Sequence, residues 1–440
     1  MRRSLIVIGT GLVLGVSGGI GVATTSSSPS TAPPAASVPR VVPDSGQDLE
    51  ASIAALQDTL RRVPADYVSW ANLAVAYVEQ ARVSGNATFY DKADEAVARS
   101  FELEPDENFT ALAASAAISA ARHDFTDALA SADEALAVNP RDLGALAVRV
   151  DALNELGRYD EQMQALRTAD RLQPSTAVSA RYSYAFELRG DLDRAGALLR
   201  RTAEVGSRAD QAYTLTLYAD ILRKQGRLAE AGRRLAVAQE AVPDHLPALV
   251  STARLQVAQG DLEGAVATWQ EVAARQPLPE YLTELGELLL HLDRTDEADA
   301  QFAVVRTTID LLSASGVGTD LETALFEADH GSAERALTQA QAEWDQRRSV
   351  HVADALAWAL HRSGRDGEAL PIARQATRLG SPEARFWIHR GTIEAALGMT
   401  ADARTHLRRG LDLDPGLSPW QRAEAESVLA DLESGTESGR

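Results

Sequence analysis

Few residues of this chain stand at spacings that support catalysis. Gly15-Val16-Ser17-Gly18-Gly19 matches the G-x-S-x-G pattern of a serine nucleophile. It lies inside an apolar run with no preceding strand, so we interpret the match as accidental. The chain has no cysteine, which excludes thiolate nucleophiles, disulfides and thiolate metal ligands. The only lysines, Lys92 and Lys224, do not follow a glycine. A P-loop is therefore absent, and both lysines are expected in polar, exposed surroundings.

The histidines and carboxylates do not form a recognisable metal or acid–base site either. Six of the eight histidines lie within residues 291–406, but none belongs to an H-E-x-x-H motif. His351 and Asp354 can share a helical face, yet two ligands do not make a zinc site. The spacings of the carboxylates suit solvated helix faces rather than a general acid–base pair. We therefore predict no catalytic residue, no metal and no cofactor, and a protein that is not an enzyme.

Composition and charge narrow the class of protein further. Hydrophobic residues make up 45% of the 440 residues and charged residues 24%, which is typical of a folded soluble protein. Aromatic residues are only 5%, so the core must be built mainly from Ala and Leu. The formal net charge is −20. A chain of this charge repels phosphate backbones, and we predict no nucleic-acid partner.

The N-terminal segment resembles an export signal. Arg2 and Arg3 precede an uncharged apolar run, Leu5–Val22, which has the pattern of a secretory signal peptide. The run is also just long enough for a retained membrane anchor through residues 5–22, and both interpretations of residues 1–23 stay open. Residues 24–47 are rich in Ser, Thr, Pro and Ala, which predicts a disordered linker. We expect an exported protein, secreted or anchored to the outer face of the cytoplasmic membrane.

The rest of the chain carries an internal repeat of about 34 residues. The repeat is marked by glycines, by small residues five positions later, and by prolines that close the units. The glycines are Gly157, Gly190, Gly226, Gly260, Gly364 and Gly398; the small residues include Ala195, Ala231, Ala265, Ala369 and Ala403; the prolines are Pro105, Pro140, Pro174, Pro243, Pro277 and Pro415. A series of equally spaced residues of this length is typical of a repeat array.

Each unit is predicted to be a pair of helices. In residues 143–174, apolar side chains recur at helical spacing at Leu146, Val150, Leu153 and Leu156. Gly157 predicts the end of this first helix, because glycine readily takes the left-handed conformation of a C-terminal cap. Tyr159 begins the second helix, and Pro174 ends it or begins the next turn. A single pair cannot bury its apolar face alone, so neighbouring units must stack.

These units resemble the tetratricopeptide repeat family over residues 67–415. The resemblance rests on a large residue, Leu-Gly and Tyr in the first helix, and on Ala, an aromatic residue and Pro in the second. Matching residues are Trp70, Leu73, Ala74, Tyr77, Ala93 and Pro105, then Leu282, Leu285, Gly286, Ala298 and Phe302, then Trp387, Gly391, Ala403 and Pro415. Ser115 and Gln162 depart from the pattern. The resemblance implies an all-α, right-handed α-solenoid of about ten helix-turn-helix repeats.

The interval between equivalent repeat residues is longer near residues 313–318, which we interpret as a bend between two sub-arrays. The predicted domains are then 48–312 for the first part, 319–433 for the second part with a capping helix, and a tail at 434–440. About seven extra residues around 82–90 predict a longer turn in the first unit. The last helix is expected to begin with a capping box formed by Ser418 and Gln421.

The family resemblance also implies where partners bind. In this family the first helices of the pairs line a concave groove, which would capture an extended peptide or a partner helix. Carried onto this sequence, the groove residues are Tyr184, Glu187, Asp220, Arg223, Arg254, Glu287, His291, Trp358 and His361. The groove is expected to be mixed in charge and free of lysine, so the family's specificity for acidic C-termini is not carried over. The predicted function is a protein-interaction scaffold. The alternative is an envelope adaptor that binds a small ligand or glycan.

Overall fold

The computed structural model describes residues 46–84, 86, 88–314 and 321–437. These residues contain 22 α-helices and no strand. In chain order the helices are α1 (Gly46–Arg62), α2 (Tyr67–Ser84), α3 (Thr88–Leu103), α4 (Phe109–Ala121), α5 (Phe125–Val138), α6 (Leu143–Glu155), α7 (Tyr159–Leu172), α8 (Thr176–Glu187), α9 (Leu192–Ala203), α10 (Arg208–Lys224) and α11 (Leu228–Ala241). They continue with α12 (Leu246–Gln259), α13 (Leu262–Arg275), α14 (Pro279–His291), α15 (Thr295–Ala314), α16 (Leu321–His330), α17 (Ala333–Gln346), α18 (Val350–Arg362), α19 (Asp366–Ala376), α20 (Ala384–Ala396), α21 (Thr400–Leu413) and α22 (Pro419–Glu437).

The helices form ten consecutive pairs, from α2 with α3 to α20 with α21. The prediction of an all-α array of about ten repeats is confirmed. We call the first helix of each pair helix A and the second helix B. The remaining helices, α1 and α22, flank the pairs at the two ends. Leu49, Ile53 and Leu60 of α1, which are four and seven residues apart, lie on one side of that helix and are buried.

Glycine and aspartate together make the turns within the pairs. Gly190 and Gly260 have φ values of 76° and 78°, a left-handed conformation that is accessible to glycine at low cost. The next residue in each case, Asp191 or Asp261, caps helix B. Its carboxylate accepts a hydrogen bond from a backbone N–H three residues later, at 3.1 Å in both turns. This cap satisfies a donor that the helix itself cannot pair.

Alanine and large apolar residues share the core as the repeat pattern predicts. Ala231 and Ala265, on the small-residue ladder, are fully buried, and their small side chains allow the helices of a pair to approach closely. Trp269 packs on Tyr281 of the next pair, with ring centroids 6.0 Å apart. Phe302 contacts Phe326 of the following pair in the same way, at 5.6 Å. Large residues therefore fill the space between units.

Contacts divide the described chain into two compact units. The first contains residues 46–152 and 164–179, and the second contains residues 153–163 and 180–437. An apolar cluster of the first unit is built on α1 to α4. The second has several, which include a cluster around Trp269 and another around Trp358. The side chains of the candidate interaction surface belong to the second unit.

Several predictions fall outside the described residues or are corrected by the structure. The predicted leader at 1–23 and most of the linker at 24–47 lie outside them, as does most of the predicted bend at 313–318. The prediction of a longer turn around 82–90 is wrong, because α2 continues to Ser84 and α3 begins at Thr88. In the described part of the chain, no helix is both long enough and apolar enough to cross a membrane.

Candidate interaction surface

Polar side chains of successive A helices join into one continuous row. The Lys224 Nζ on α10 lies 2.8 Å from Glu187 Oε1 on α8. Ser251 Oγ on α12 donates to Asp220 Oδ2 on α10 at 2.8 Å, and Arg254 forms an ion pair with Glu284 on α14. We call these six residues the polar row. Because each link joins one A helix to the next, the row connects four successive helix pairs.

The row contains a lysine, which corrects two predictions. The groove was expected to be free of lysine, and Lys224 was expected to be exposed, but only 13% of its side chain is. The reason is its position in the last turn of α10, from which it reaches Glu187 on the preceding A helix. Burial alone would lower the pKa of Lys224, but Glu187 and Glu383 outweigh burial and raise it. The ammonium therefore stays charged inside the fold.

Late parts of the chain contact this face directly. Glu383, in the loop before α20, is the second carboxylate on Lys224, at 3.4 Å. Burial alone would raise the pKa of Glu383, but Lys224, Arg385 and His351 outweigh it and lower the pKa to about 2. Glu383 is therefore ionised at neutral pH, and its charge neutralises a cation of the polar row.

A second ion pair lies beside the first. Arg223 on α10 pairs with Asp414, in the loop before α22. The two side chains are only 6% and 11% exposed, so the pair is almost fully removed from water. Gly416 follows closely, and a Cβ added there would meet the carbonyl oxygen of Arg254 at 3.0 Å. The loop before α22 thus lies against the backbone of α12.

The predicted anchor Tyr184 is also occupied from within the chain. Its hydroxyl lies 2.9 Å from Nε2 of His351 at the start of α18, and the two rings are nearly parallel. Burial raises the pKa of Tyr184 well above its ordinary value. Burial likewise lowers the pKa of His351 to about 4. At neutral pH, therefore, a neutral phenol faces a neutral imidazole, and the hydrogen bond requires no charge.

Glu287 and its neighbours extend the contact to the last helix. Glu287 Oε1 lies 3.2 Å from His330 Nε2 on α16 and accepts a hydrogen bond from Gln421 of α22 at 3.4 Å. The Trp420 ring packs on His330, with centroids 4.8 Å apart. Because Gln421 is engaged here, and the buried Ser418 hydroxyl makes no hydrogen bond, the predicted capping box is not formed.

Trp358 and His361 lie among the late A helices. Trp358 Nε1 donates to Asp329 at 2.7 Å, and its ring stacks on His389 at a centroid distance of 4.0 Å. His361 pairs with Asp366 at the start of α19. Burial raises the pKa of Asp329. Trp358 is buried in an apolar cluster against which Tyr184 also packs.

The structure thus distributes the nine predicted groove residues over three settings. Tyr184, Glu187, Asp220, Arg223 and Arg254 lie together on α8 to α12. Glu287, Trp358 and His361 belong to the later A helices. His291 is exposed at the end of α14, and no contact of its side chain is described. The set is therefore not one uniform groove.

Sequence reasoning missed the late residues that contact this face, which are His351, Glu383, Asp414 and Gln421. It also left Lys224 out of the groove. A weak signal existed, because Glu383 and Asp414 stand in turns between helices and are opposite in charge to Arg223 and Lys224. The pairs are 159 and 191 residues apart. Their meeting depends on how all the intervening repeats stack, which a local pattern does not encode.

The arrangement can bind another polypeptide segment. In the described residues no group of three His, Asp or Glu side chains is placed to hold a metal ion. The charged groups of the polar row face partners of opposite charge, which hold them in place. Such groups can hydrogen-bond the backbone or side chains of another segment.

Comparison with known proteins agrees with this architecture. The family profile described as tetratricopeptide repeat matches residues 116–177, 251–306 and 355–418. Three regions of the chain are therefore tetratricopeptide repeats. Repeats of this kind typically serve as scaffolds that bind other proteins or peptides. No curated protein matches the chain.

Among solved structures, the chain is similar to a tetratricopeptide repeat protein from Parabacteroides merdae, at 19% identity and a TM-score of 0.34, over 59% of this chain and 98% of that one. It is similar to a thermophilic tetratricopeptide repeat protein from Thermus thermophilus, at 24% identity and a TM-score of 0.35, over 39% and 92%. It is also similar to the human IFIT1 dimer, at 14% identity and a TM-score of 0.43, over 83% and 87%.

Proposed function

We propose that this protein is a non-enzymatic interaction scaffold that binds a peptide or a helix of another protein along its A helices, outside the cytoplasmic membrane. The observation that carries the proposal is the polar row. Its links between α8, α10, α12 and α14 present charged and hydroxyl groups at the interval of the repeat. An extended segment that lies across successive A helices can hydrogen-bond to such a row.

The exposed part of the row gives the proposal its most direct site. Arg254 and Glu284 are about one third exposed, at 32% and 33% of their side chains, and Asp220 is 26% exposed. They are held in place yet accessible at one side. A partner segment can therefore hydrogen-bond to them without first ordering them, which lowers the entropic cost of binding.

The proposed location rests on the N-terminal pattern of Arg2 and Arg3 followed by the apolar run Leu5–Val22. Mass spectrometry of the N-terminal peptide tests it in native membranes and in culture fluid. Recovery of an N-terminus near Thr24 from the fluid supports secretion, and recovery of Met1 with the membranes supports an anchor. An intact N-terminus found only in the cytosolic fraction contradicts export.

The binding proposal is tested by crosslinking and pull-down of the full chain from the same two fractions. Arg254→Ala with Glu284→Ala removes one exposed Arg–Glu pair from the row. Arg365→Ala with Glu368→Ala is the matched control, because it removes another exposed Arg–Glu pair at the start of α19. We expect the first variant to lose a reproducible set of captured proteins and the control to keep it. Equal capture by both variants, or no reproducible capture at all, contradicts the proposal.

A further inference from the structure

We propose that the scaffold is autoinhibited: the C-terminal helices α18 to α22 act as an internal ligand of the A helices α8 to α14. A partner then gains the buried part of the polar row only by displacing them. This inference rests on the proposed function, because it concerns access to the same face. It adds the regulation of that face and the chemistry of the partner.

The first step is the order of the contacts. His351 at the start of α18 meets α8, the loops at Glu383 and Asp414 meet α10, and Gln421 in α22 meets α14. Later segments thus meet later A helices. A succession of segments laid along successive repeats is the way in which an external ligand would occupy this face.

The second step is the depth of the contact. The backbone of the late segments approaches the earlier turns so closely that side chains would not fit. Gly190 faces the carbonyl oxygen of Gly380, at 3.0 Å from the place of a Cβ. At Gly157 a Cβ would overlap the carbonyl oxygen of Arg348, and Arg378 donates to the Gly157 carbonyl at 3.0 Å. No second ligand can occupy this space while the late segments remain.

The third step concerns charge. Arg223 and Lys224 are buried cations, and Asp414 and Glu383 from the late segments lie against them. Removal of these carboxylates leaves Arg223 without its closest partner and Lys224 with Glu187 alone, which destabilises both buried charges. The face therefore opens only when water or a partner replaces the anions. A partner that competes with the late segments must carry carboxylates, so we infer an acidic segment.

The contacts that must open for the late segments to leave this face are mainly polar. The contacts named above are mainly ion pairs and hydrogen bonds. In the described residues, Tyr159 and Leu188 from the earlier part of the second unit are buried in the apolar cluster of α16 to α20, and Tyr184 packs against it. Residues around α20 to α22 have a further apolar cluster of their own. Most apolar contacts of the late helices therefore remain intact when the polar contacts open.

The test is hydrogen exchange of the full chain with paired variants. Glu383→Gln with Asp414→Asn removes the two anions of the late segments. Glu368→Gln with Asp402→Asn makes the same charge change at exposed sites of α19 and α21 and is the control. In the first variant we expect the exchange rates of the backbone amides in α10 and in residues 414–421 to rise together by about a hundredfold. This is the order of magnitude expected for a broken buried ion pair. We expect no change in the control.

A peptide of residues 409–422 then tests whether this face accepts a ligand. Added in excess to the opened variant, the peptide should restore protection of α10, and a peptide with Asp414→Asn should not. The proposal is overturned if exchange in α10 does not rise, if it rises equally in the first unit, or if neither peptide restores protection. None of these readouts needs a cellular partner. Failure of the pull-down with success here therefore rejects the proposed function and leaves the internal ligand in place.

Discussion

At the residue scale, glycine has two different roles that the repeat pattern does not separate. Gly157 and Gly364 both follow an A helix with nearly the same φ, 70° and 72°. A Cβ at Gly364 would meet nothing within 4 Å, whereas one at Gly157 would overlap the Arg348 carbonyl. Gly364 is needed only for its left-handed conformation. Gly157 is also needed because a distant segment approaches it closely.

Substitution of these two glycines by alanine separates the roles. Gly364→Ala places an L-residue in the left-handed region, and we expect a loss of about 1 kcal/mol in the free energy of unfolding. Gly157→Ala carries the same strain plus overpacking against a backbone atom, so we expect about 2–4 kcal/mol. Urea titration followed by circular dichroism measures both. Equal losses would show that Arg348 does not lie against Gly157.

The buried imidazole of His351 gives a prediction for pH. Burial lowers its pKa to about 4 in the folded chain, against an ordinary value of 6.5. Glu383 and Asp354 oppose this shift, and Arg385 and Lys224 add to it. The unfolded chain therefore takes up a proton between pH 6.5 and pH 4 that the folded chain refuses, and stability falls as the pH falls through this window. The loss amounts to about 3 kcal/mol at pH 4.

His351→Gln is expected to remove this pH dependence while the amide keeps a hydrogen bond to Tyr184. His291→Gln is the control, because His291 is exposed on α14. Thermal unfolding at pH 7 and pH 4.5 checks the prediction. A melting temperature of the His351 variant that falls with acid as steeply as that of the wild type would contradict it. Below about pH 4.5 the depressed pKa of Glu383 adds a separate loss, so the comparison stays above that range.

At the element scale, the helix pairs follow directly from the periodic residues, and their crossings depend on residue size. Gly286 on α14 is so close to Phe302 on α15 that a Cβ would overlap the ring. Gly232, inside α11, has only Leu255 nearby, at the ordinary distance of 3.5 Å. Both are helical glycines, but only the first is required by packing.

We therefore expect opposite effects of alanine at these two positions. Gly286→Ala forces Phe302 or the helix backbone to move and should lower stability by about 1–3 kcal/mol. Gly232→Ala removes the entropic cost of a helical glycine and should raise stability by about 0.5–1 kcal/mol. Thermal unfolding of the two single variants decides. Stabilisation by both would mean that α14 and α15 are further apart than the structure shows.

Most of the elements could be predicted because their signals are local. Gly157 and Tyr159 mark a helix end and a helix start within three residues, and both are found where the pattern places them. Ser418 and Gln421 show the limit of local signals. They fit a capping box, yet Gln421 bonds to Glu287, 134 residues away, because a tertiary contact competes with the local one.

At the scale of the whole molecule, the candidate site could be predicted only in part. Tyr184, Arg223 and Arg254 are assigned to the groove by the family resemblance, and the structure places them on the A helices α8, α10 and α12. What lies against that face depends on the summed rotation of many repeats, and a small change per repeat would separate Arg223 from Asp414. The pairing of residues 191 positions apart is therefore a property of the stacked repeats rather than of any single motif.

The central claim is that the C-terminal helices lie on the earlier helices of the second unit, and the cysteine-free sequence allows a direct measurement. Arg158→Cys with Arg378→Cys places two thiols on either side of the contact between Arg378 and Gly157, and a short bis-maleimide joins them only if the segments meet. Arg158→Cys with Asp402→Cys is the control, with the second thiol on the exposed side of α21. We predict an intramolecular crosslink in the first pair, identified by mass spectrometry, and none in the second. Equal yields in the two pairs, or no crosslink between 158 and 378, would contradict the account.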